Sequence, residues 1–559
     1  MQQFYYIQMR RLFIALFAIG LGVSAASAQD VNIIPKPQSL ETKEGIFSIS
    51  ASTRLFFFDK KLEKSANYFN TYLHKYYGFR LTMGKDAPGK DAIVLRLAQQ
   101  DDPKNTGAYK LEVKESGIDI SGNTDTAVFY GIQTLIQLLP VNKTEWNKWV
   151  NIPQVNIKDE PRFSYRGAML DVGRNFESVE FVKKFIDLLA LHKLNTFHWH
   201  LTEDQGWRIE VKKYPLLTQV GGCRNGTIIG HHPGTGNDNQ KVCGYYTQAQ
   251  VKEIVKYAGD RYVNIIPEIE LPGHSSAAIA AYPQLSCFPD EPTPIAKGVE
   301  WAGPKTGKQV QQSWGVYSDV YAPTEYTFKF LQDVFDEVLP LFPSKYVHIG
   351  GDECPKDYWK RSAFCQNLIK EKGLKDEHGL QSYFVGRIEK YLNSKGKHMI
   401  GWDEILEGGL SPNATVMSWR GEQGGIEAAK LGHNVIMTPG SHVYIDHSQL
   451  VKEDSVTIGG YLPIQKVYSY EPIPKELAPD EQKYVLGTQV NCWTEYMRNP
   501  AKVEYMVFPR LAALSEVAWT NKENKNYTDF RNRLETELIR YKMWKVGYCQ
   551  NWDNQPDKK

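Results

Sequence analysis

Residues 345–359 read KYVHIGGDECPKDYW, in which a short β-type run ends in a polar turn. Gly350 and Gly351 allow the backbone to turn sharply and another group to approach closely. Asp352 and Glu353 follow at once. Adjacent carboxylates repel, so one of them tends to keep its proton, which is the requirement for general acid catalysis on a glycosidic bond. The alternative is an ordinary Gly-Asp-Glu surface turn.

The same pattern of a β-type run followed by a helical pattern recurs along most of the chain. The eight predicted strands are 167–172, 196–201, 264–269, 346–350, 398–402, 415–419, 434–438 and 486–492. Helical patterns fill the gaps, as at 178–192, 248–262, 326–341 and 382–394. Eight strands with intervening helices predict a (β/α)8 TIM barrel, an α/β fold.

Three parts are predicted along the chain. Residues 1–28 resemble a signal peptide, with a basic flank, a 12-residue apolar stretch and an Ala-Ser-Ala cleavage site at 26–28. Residues 29–158 mix short strands with helical patterns at 66–76 and 125–139, which predicts a small α+β domain. Residues 159–559 form the catalytic barrel, with inserts at 216–247 and 288–322 and a C-terminal helical tail.

Composition restricts the partners and the compartment. A net charge of +2 gives no field that attracts nucleic acid or an anionic membrane, and the mature chain has no segment that predicts a membrane span. The signal pattern predicts export to the periplasm or beyond the cell. Aromatic residues make up 12% of the chain, which suits sugar rings.

Seven cysteines can form disulfides in an exported protein, although the odd count leaves one thiol free. Cys223 and Cys243 bracket a loop rich in Gly, Asn and His and are one candidate pair. Cys354 and Cys365 are another. There is no CxxC motif, which disfavours a thiolate zinc site.

The C-terminal ends of barrel strands build the active site of this fold, so the residues that follow the predicted strands are the candidates. They are Asp171, Arg174, His198, His200, Glu203, Asp204, Glu268, Glu270, His274, Asp352, Glu353, Trp402, Trp419, Tyr444, Asp446, Trp493 and Glu495. Carboxylates, one arginine and several aromatic side chains are thus predicted to converge on one opening.

His198 and His200 alternate on a strand and face the same way, so a metal pair is conceivable. No third His or Cys stands at ligand spacing, and structural hydrogen bonding is therefore the favoured interpretation. Gly350 and Gly351 are not a phosphate loop, because no Lys-Ser/Thr follows them. No metal and no cofactor are expected.

Four stretches resemble the β-N-acetylhexosaminidases of glycoside hydrolase family 20, of the secreted bacterial type. They are RGAMLDVGR at 166–174, HWHLTEDQGWR at 198–208, PEIELPGH at 267–274 and HIGGDE at 348–353. Trp402, Trp419, Tyr444, Trp493 and their neighbours complete the resemblance, which covers nearly the whole mature chain. Glu270 departs from the family pattern, in which many members carry Asp.

The resemblance implies exo-acting removal of a terminal N-acetyl-β-hexosamine (GlcNAc or GalNAc) from oligosaccharides or glycoconjugates, with retention and without an enzymic nucleophile. In this scheme the sugar's own acetamido oxygen attacks, and an oxazolinium ion forms. Glu353 is then the acid and base, Asp352 stabilises the acetamido nitrogen, and Tyr444 positions the acetamido oxygen.

The remaining roles also come from the resemblance. Trp402, Trp419 and Trp493 wall the acetamido methyl group. Arg174, Asp446 and Glu495 bind the outer hydroxyls. Asp204, His274 and Glu270 support the acid pair.

Several alternatives stay open. Within the glycosidases they are a conventional retaining enzyme with a carboxylate nucleophile and a lacto-N-biosidase that removes a disaccharide. Outside them are a sugar-binding barrel without catalysis and a metal-dependent hydrolase that uses His198 and His200. The sequence does not determine the preference between GlcNAc and GalNAc, the linkage or the oligomeric state.

Overall fold

The chain forms a mixed β-sheet with two helices, followed by a closed barrel. A computed structural model describes residues 31–84, 89–141, 149–453 and 455–553. The predicted signal segment, 1–28, lies outside these ranges. None of the helices within them is long and apolar enough to cross a membrane.

The N-terminal sheet has seven strands in the order β1-β7-β5-β6-β4-β2-β3. Its strands are β1 Ser39–Ser50, β2 Arg54–Phe57, β3 Thr82–Gly84, β4 Ala92–Leu97, β5 Tyr109–Lys114, β6 Gly117–Gly122 and β7 Trp149–Asp159. Helices α1 (Glu63–Tyr77) and α2 (Asp125–Leu138) pack against it. Thr124 begins α2 because its side chain accepts a hydrogen bond from the Ala127 amide. This is the predicted α+β domain.

The barrel consists of eight parallel strands, and the TIM-barrel prediction is therefore confirmed. In order around the barrel they are β8 Tyr165–Asp171, β9 Thr196–His200, β14 Asn264–Leu271, β15 Tyr346–Gly350, β16 His398–Trp402, β17 Thr415–Ser418, β18 Val435–Met437 and β19 Val485–Cys492, which pairs back with β8. Between β9 and β14 lie two short ribbons, β10 Thr202–Glu203 with β11 Gly206–Trp207, and β12 Cys223–Arg224 with β13 Val242–Cys243.

Helices surround the barrel. The longer ones are α3 Val179–Leu191, α5 Gln248–Gly259, α7 Glu325–Val338, α9 Ala363–Glu371, α10 Glu377–Ser394, α11 Gln423–Lys430, α14 Pro500–Val507, α15 Arg510–Trp519 and α16 Tyr527–Met543. The shorter ones are α4 Leu216–Gln219, α6 Ser276–Ala281, α8 Asp357–Arg361, α12 Gly440–Val443 and α13 Ile464–Tyr468. Local sequence begins several of them: Ser178 caps α3, and Thr247 forms a capping box with Gln250 at the start of α5.

The C-terminal helix α16 contacts both parts of the molecule. Arg540 donates hydrogen bonds to the carbonyls of Ile136 and Gln137 at the end of α2, and Trp544 stacks on Tyr76 of α1 at 5.6 Å. Tyr541 packs on Phe508 of the barrel at 4.9 Å. The tail thus joins the N-terminal helices to the barrel.

One of the two predicted cysteine pairs forms. Cys223 and Cys243 are disulfide-bonded and close the base of the insert between β12 and β13. The predicted pair Cys354–Cys365 is wrong, since both are free thiols. The Cys365 sulfur instead lies 3.7 Å from that of Cys287, which the chain brings from 78 residues away.

Candidate active site

A cavity of about 680 Å³ opens at the C-terminal ends of the barrel strands. Of the twelve residues to which the family resemblance assigns a role, eight line it: Arg174, Asp352, Glu353, Trp419, Tyr444, Asp446, Trp493 and Glu495. The other four, Asp204, Glu270, His274 and Trp402, are buried and do not line the cavity. The structure therefore separates a lining set from a supporting set.

The turn after β15 presents the two carboxylates in a strained backbone. Gly350 and Gly351 have φ values of +67° and +91°, and Glu353 is itself left-handed at +44°. A Cβ at Gly350 would stand 1.6 Å from Oε2 of Glu270, so only glycine fits there. Left-handed non-glycine residues cluster at functional sites because the surrounding structure must hold them in place.

His274 connects the acid pair to deeper carboxylates. Its Nε2 lies 3.5 Å from Oε2 of Glu353 and 3.8 Å from Oδ2 of Asp352. Its Nδ1 lies 2.8 Å from Glu203 and 3.1 Å from Asp204. Burial opposes a charge on His274, but these two carboxylates hold its pKa well above the usual value. His274 is therefore an imidazolium beside the acid pair.

The two carboxyl groups of the turn differ in protonation. Burial raises the pKa of Asp352 to about 7. The hydrogen bond from His274 lowers the pKa of Glu353, whose side chain is 40% exposed. In the open cavity Glu353 is thus the stronger acid of the two, the reverse of the order that its predicted role as general acid requires. The hydrogen bond from His274 keeps Glu353 ionised here, and a ligand that covered its exposed carboxyl group would raise its pKa by desolvation.

Arg174 lies among a second group of carboxylates. Its guanidinium lies 3.2 Å from Glu203, 3.5 Å from Asp171 and 4.0 Å from Glu495. Burial raises the pKa of Asp446 well above its usual value, and the charge of Glu495 raises it further. This end of the cavity therefore offers both hydrogen-bond donors and acceptors to hydroxyl groups.

Aromatic rings form the sides of the cavity. Trp419 and Tyr444 are nearly parallel, with centroids 6.0 Å apart, and Trp493 lies 6.4 Å from Tyr444. Burial holds the Tyr444 pKa well above its usual value, so its hydroxyl stays a donor at neutral pH.

Trp402 differs from its predicted place in the wall. It is 1% exposed, lies behind Trp493 at 5.8 Å, and donates its indole N–H to Glu268 at 3.0 Å. The Trp402 ring packs in the barrel interior, in the same apolar cluster as Ile400 and Met417. It therefore does not line the cavity.

His198 and His200 join a buried network around Glu268, together with His348 from β15. His198 Nε2 and His348 Nδ1 lie 2.9 and 2.7 Å from the two oxygens of Glu268. Ligands of one tetrahedral zinc ion are about 3.3 Å apart when each bond is ~2.0 Å. The observed separations are shorter than this value. His348 is nevertheless a third histidine beside the two of β9, and the sequence argument did not find it.

The two histidines of β9 nevertheless have opposite charge states. Burial lowers the pKa of His198 to about 4. Burial also opposes a charge on His200, but Glu268 and Glu203 raise its pKa to about 10. Glu270 beside them stays protonated, because burial and the charge of Asp352 raise its pKa well above the usual value. The acid pair thus lies beside a buried network in which His200 is charged while His198 and Glu270 are neutral.

Sequence reasoning missed part of the lining. His231 and His232 come from the disulfide-closed insert, Trp314 comes from the second insert, and Tyr496 follows Glu495. Tyr496 could have been included among the candidates that follow the strands, since it stands four residues after β19. The inserts carry no periodic pattern that indicates which of their residues turn inwards.

Glu404 was also missed. It follows β16 in a short 3-10 helix and accepts the indole N–H of Trp419 at 2.9 Å. Burial, helped by the charge of Asp352, raises the Glu404 pKa to about 9.

A TIM barrel with paired carboxylates in an aromatic cavity defines a glycoside-hydrolase type of protein. Comparison with protein families agrees: residues 163–522 match the catalytic domain of glycosyl hydrolase family 20, and residues 30–160 match domain 2 of the same family. The chain belongs to this family.

Individual relatives extend the comparison. The chain is 46% identical over 534 residues to a beta-hexosaminidase of Porphyromonas gingivalis, covering 94% of this chain and 65% of that protein's length. It is 31% identical to a beta-N-acetylhexosaminidase of Cellulomonas fimi, covering 90% and 93% of the two chains. The solved exo beta-N-acetylglucosaminidase of Vibrio harveyi in complex with N-acetylglucosamine superposes with a TM-score of 0.81 at 32% identity, over 94% and 79% of the chains.

Proposed function

We propose that this protein is an exo-acting, retaining β-N-acetylhexosaminidase that removes terminal GlcNAc or GalNAc from glycans. One observation carries the proposal. Buried polar atoms without a hydrogen-bond partner among the described residues surround a single cavity: Asp352 Oδ1, Asp446 Oδ1, Glu495 Oε2 and Arg174 Nε. Such atoms are costly unless a ligand satisfies them. A sugar offers hydroxyl groups to one end and an acetamido N–H to the other.

In the proposed reaction the substrate supplies its own nucleophile. Asp352 accepts a hydrogen bond from the acetamido N–H, and Tyr444 donates one to the acetamido oxygen. The oxygen then lies in line with the anomeric carbon, and the attack gains the proximity advantage of an internal group. As the bond to the leaving group breaks, positive charge develops on the oxazolinium ring, and ionised Asp352 stabilises it.

Glu353 handles the proton. When the sugar covers its exposed carboxyl group and displaces water, its pKa rises, and Glu353 becomes the acid that protonates the leaving oxygen. The His274 imidazolium beside it carries the neighbouring proton. In the second step Glu353 takes a proton from water, which attacks the anomeric carbon and opens the ring with net retention. Asp204 and Glu203 keep His274 charged and oriented.

The rest of the lining fixes which sugar fits. Arg174, Asp446 and Glu495 bind the outer hydroxyls with charge-assisted hydrogen bonds. Trp419 and Trp493 flank the acetamido methyl, and Trp402 supports Trp493 from behind. The Glu270 carboxyl group packs against Gly350 and supports the turn. The signal-like residues 1–28 support export to the periplasm or the medium as the place of action.

The test is a panel of aryl β-glycosides of GlcNAc, GalNAc, glucose and lacto-N-biose with purified protein. We expect hydrolysis of the N-acetylhexosaminides and near inactivity on the glucoside, which lacks the internal nucleophile. Comparable rates on the glucoside would rule out the substrate-assisted reaction. Undiminished activity after treatment with EDTA is expected, whereas loss and restoration by zinc would favour a metal-dependent hydrolase.

A further inference from the structure

Two open spaces lie back to back at the mouth of the barrel. The first is the cavity described above. The second is a groove of about 320 Å³, lined by Ile228, Ile229, Trp314, Tyr496 and Arg498 among others. Trp314, Glu495 and Tyr496 line both spaces. A single layer of side chains therefore separates them.

The separating layer contains the aromatic rings of Trp314 and Tyr496, and His231 lies against it on the side of the cavity. His231 stacks on Tyr496 with centroids 5.3 Å apart and ring planes at 12°, and Trp314 meets Tyr496 edge-on at 6.2 Å. The backbone N–H of His232 donates to the Tyr496 hydroxyl at 3.0 Å. We call His231, Trp314 and Tyr496 the aromatic wall.

The aromatic wall stands at one defined end of the cavity. Tyr496 directly follows Glu495, and a narrow cleft beside the wall is lined by Asp446, Glu495 and Tyr496 but by neither Asp352 nor Glu353. The wall therefore closes the end at which the outer hydroxyls of the sugar are bound, opposite the bond that breaks. This orientation rests on the proposed function.

We propose that the aromatic wall is the specificity-determining element that restricts this enzyme to a single terminal sugar. We further propose that the groove behind it accepts a second sugar carried on an outer hydroxyl once the wall is opened. The groove is chemically suited to a sugar, because Ile229 (46% exposed) and Trp314 offer apolar contact while Arg498 and Asn499 offer polar groups. Its volume lies at the lower end of small-ligand sites.

The side chains of Trp314, Glu495 and Tyr496 line both spaces, so they form part of the barrier at this point. His231 belongs to the insert whose base the Cys223–Cys243 disulfide closes, while Tyr496 belongs to the loop after β19. Arg498 also donates to the Ile228 carbonyl at 2.6 Å and so holds the insert against that loop behind the wall. Truncation of the wall side chains removes the barrier and leaves these supports in place.

The test uses 4-nitrophenyl glycosides of GlcNAc, of N,N'-diacetylchitobiose and of lacto-N-biose. The variants are His231→Ala, Tyr496→Ala and the double variant. Phe58→Ala is the matched control, because it truncates an aromatic ring that is 58% exposed in the N-terminal domain. Nitrophenol, the monosaccharide and the intact disaccharide are followed by chromatography from the first turnovers.

The wild-type enzyme is expected to remove the terminal GlcNAc of the chitobioside first, so that nitrophenol appears after a lag. In the wall variants the bond between the disaccharide and nitrophenol breaks directly. Water adds its hydroxyl to the anomeric carbon and its proton to the nitrophenolate, and intact disaccharide and nitrophenol appear together without a lag. We expect the ratio of direct release to monosaccharide release to rise at least tenfold for one of the two disaccharides.

Four results decide between the proposals. A rise in the wall variants but not in Phe58→Ala supports the wall. No rise in folded variants that still cleave the GlcNAc glycoside overturns the wall and leaves the proposed function intact. Loss of all GlcNAc-glycoside activity in a folded His231→Ala also overturns it, because His231 then binds the terminal sugar itself. A wild-type enzyme inactive on all three glycosides overturns the proposed function, and this inference with it.

Discussion

At the scale of single residues, the environment of each carboxyl group decides its role. Asp352 and Glu353 are adjacent in the chain, yet one side chain is buried and the other reaches solvent beside an imidazolium. Their pKa values are displaced in opposite directions for these two reasons. Separated pKa values are typical of acid pairs with different roles. The order in the open cavity is the reverse of the proposed roles, so the proposal requires substrate binding to raise the pKa of Glu353.

Glu353→Gln tests the assignment of the acid. We expect a loss of several orders of magnitude on natural disaccharides, whose leaving oxygen needs a proton, and a much smaller loss on activated aryl glycosides. Steady-state kinetics on both substrate types provides the measurement. Equal losses on the two would remove Glu353 from the acid role.

Asp352→Asn tests the stabilisation of the oxazolinium ion. The amide keeps the shape but not the negative charge, and we expect a loss of about 3 kcal/mol in transition-state stabilisation on N-acetyl substrates. Measured kcat/KM gives this value directly. An unchanged rate contradicts the role, and Asp357→Asn on the nearby surface helix α8 is the matched control.

Glu404→Gln tests whether Glu404, a buried acid that the sequence analysis did not identify, stays protonated in the folded protein. The amide oxygen can still accept the Trp419 indole N–H. In the wild type the folded-state pKa of Glu404, about 9, exceeds the ordinary value of 4.5, so the folded protein binds more protons than the unfolded chain between these pH values. Stability therefore falls as pH rises through this window, by up to about 1.4 kcal/mol per pH unit.

The variant lacks this titration, so its unfolding free energy should decline less than that of the wild type between pH 5 and 9. Chemical denaturation at several pH values measures the difference. The exposed Glu523→Gln should behave as the wild type. Parallel curves for Glu404→Gln and the wild type would show that Glu404 is not held protonated.

At the scale of elements, the barrel strands lie within two residues of their predicted ends, because their apolar runs are long enough to be recognised. β14 shows one of the largest differences. It was predicted to end at residue 269 but runs to Leu271, which pairs with Gly350 of β15. The extension carries Glu270 into the strand and places its carboxyl group against Gly350 in the turn that bears Asp352 and Glu353.

Gly350→Ala tests this contact between elements. The new Cβ meets Glu270 and also has to adopt a φ of +67°, so we expect a loss of at least 3 kcal/mol in stability. Gly373→Ala isolates the backbone cost, because φ is +64° there and no atom lies within 4 Å of the added Cβ. It should cost about 1 kcal/mol.

The difference between the two glycine variants measures the clash with Glu270. In a Glu270→Asp background the shorter side chain should reduce the cost of Gly350→Ala. Thermal and chemical denaturation of the wild type and the four variants supply the data. Equal costs at the two glycines would mean that Glu270 does not constrain the turn.

At the scale of the whole molecule, one buried cation joins the sheet to the barrel. Lys193, after α3, lies 2.9 Å from Asp159 of β7 and 2.9 Å from the Tyr109 hydroxyl of β5. Trp519 of α15 donates to the same Asp159 at 2.9 Å and lies under the Lys193 ammonium group. One ion pair therefore joins the N-terminal sheet, the loop after α3 and helix α15. Its two side chains have no exposed surface.

Lys193→Met should destabilise the protein by about 3–5 kcal/mol, because it leaves Asp159 buried without its cation. Lys114→Met is the control, since that side chain is 59% exposed and should change stability by less than about 0.5 kcal/mol. Urea denaturation of both variants provides the comparison. A near-neutral Lys193→Met would show that the other hydrogen bonds of Asp159 suffice.

The sequence by itself determined the barrel, the α+β domain before it, and the strand ends at which Arg174, Asp352, Glu353, Tyr444 and Glu495 stand. Strand periodicity and the residues that follow each strand are local signals, and the barrel topology brings those ends together. Tertiary structure alone decided that Trp402 lies behind Trp493, that Cys365 meets Cys287, and that His274 reverses the protonation order of the acid pair. These outcomes depend on burial and on contacts between residues far apart in the chain, which no local pattern encodes. The aromatic wall is of the same kind, because three distant segments supply its side chains.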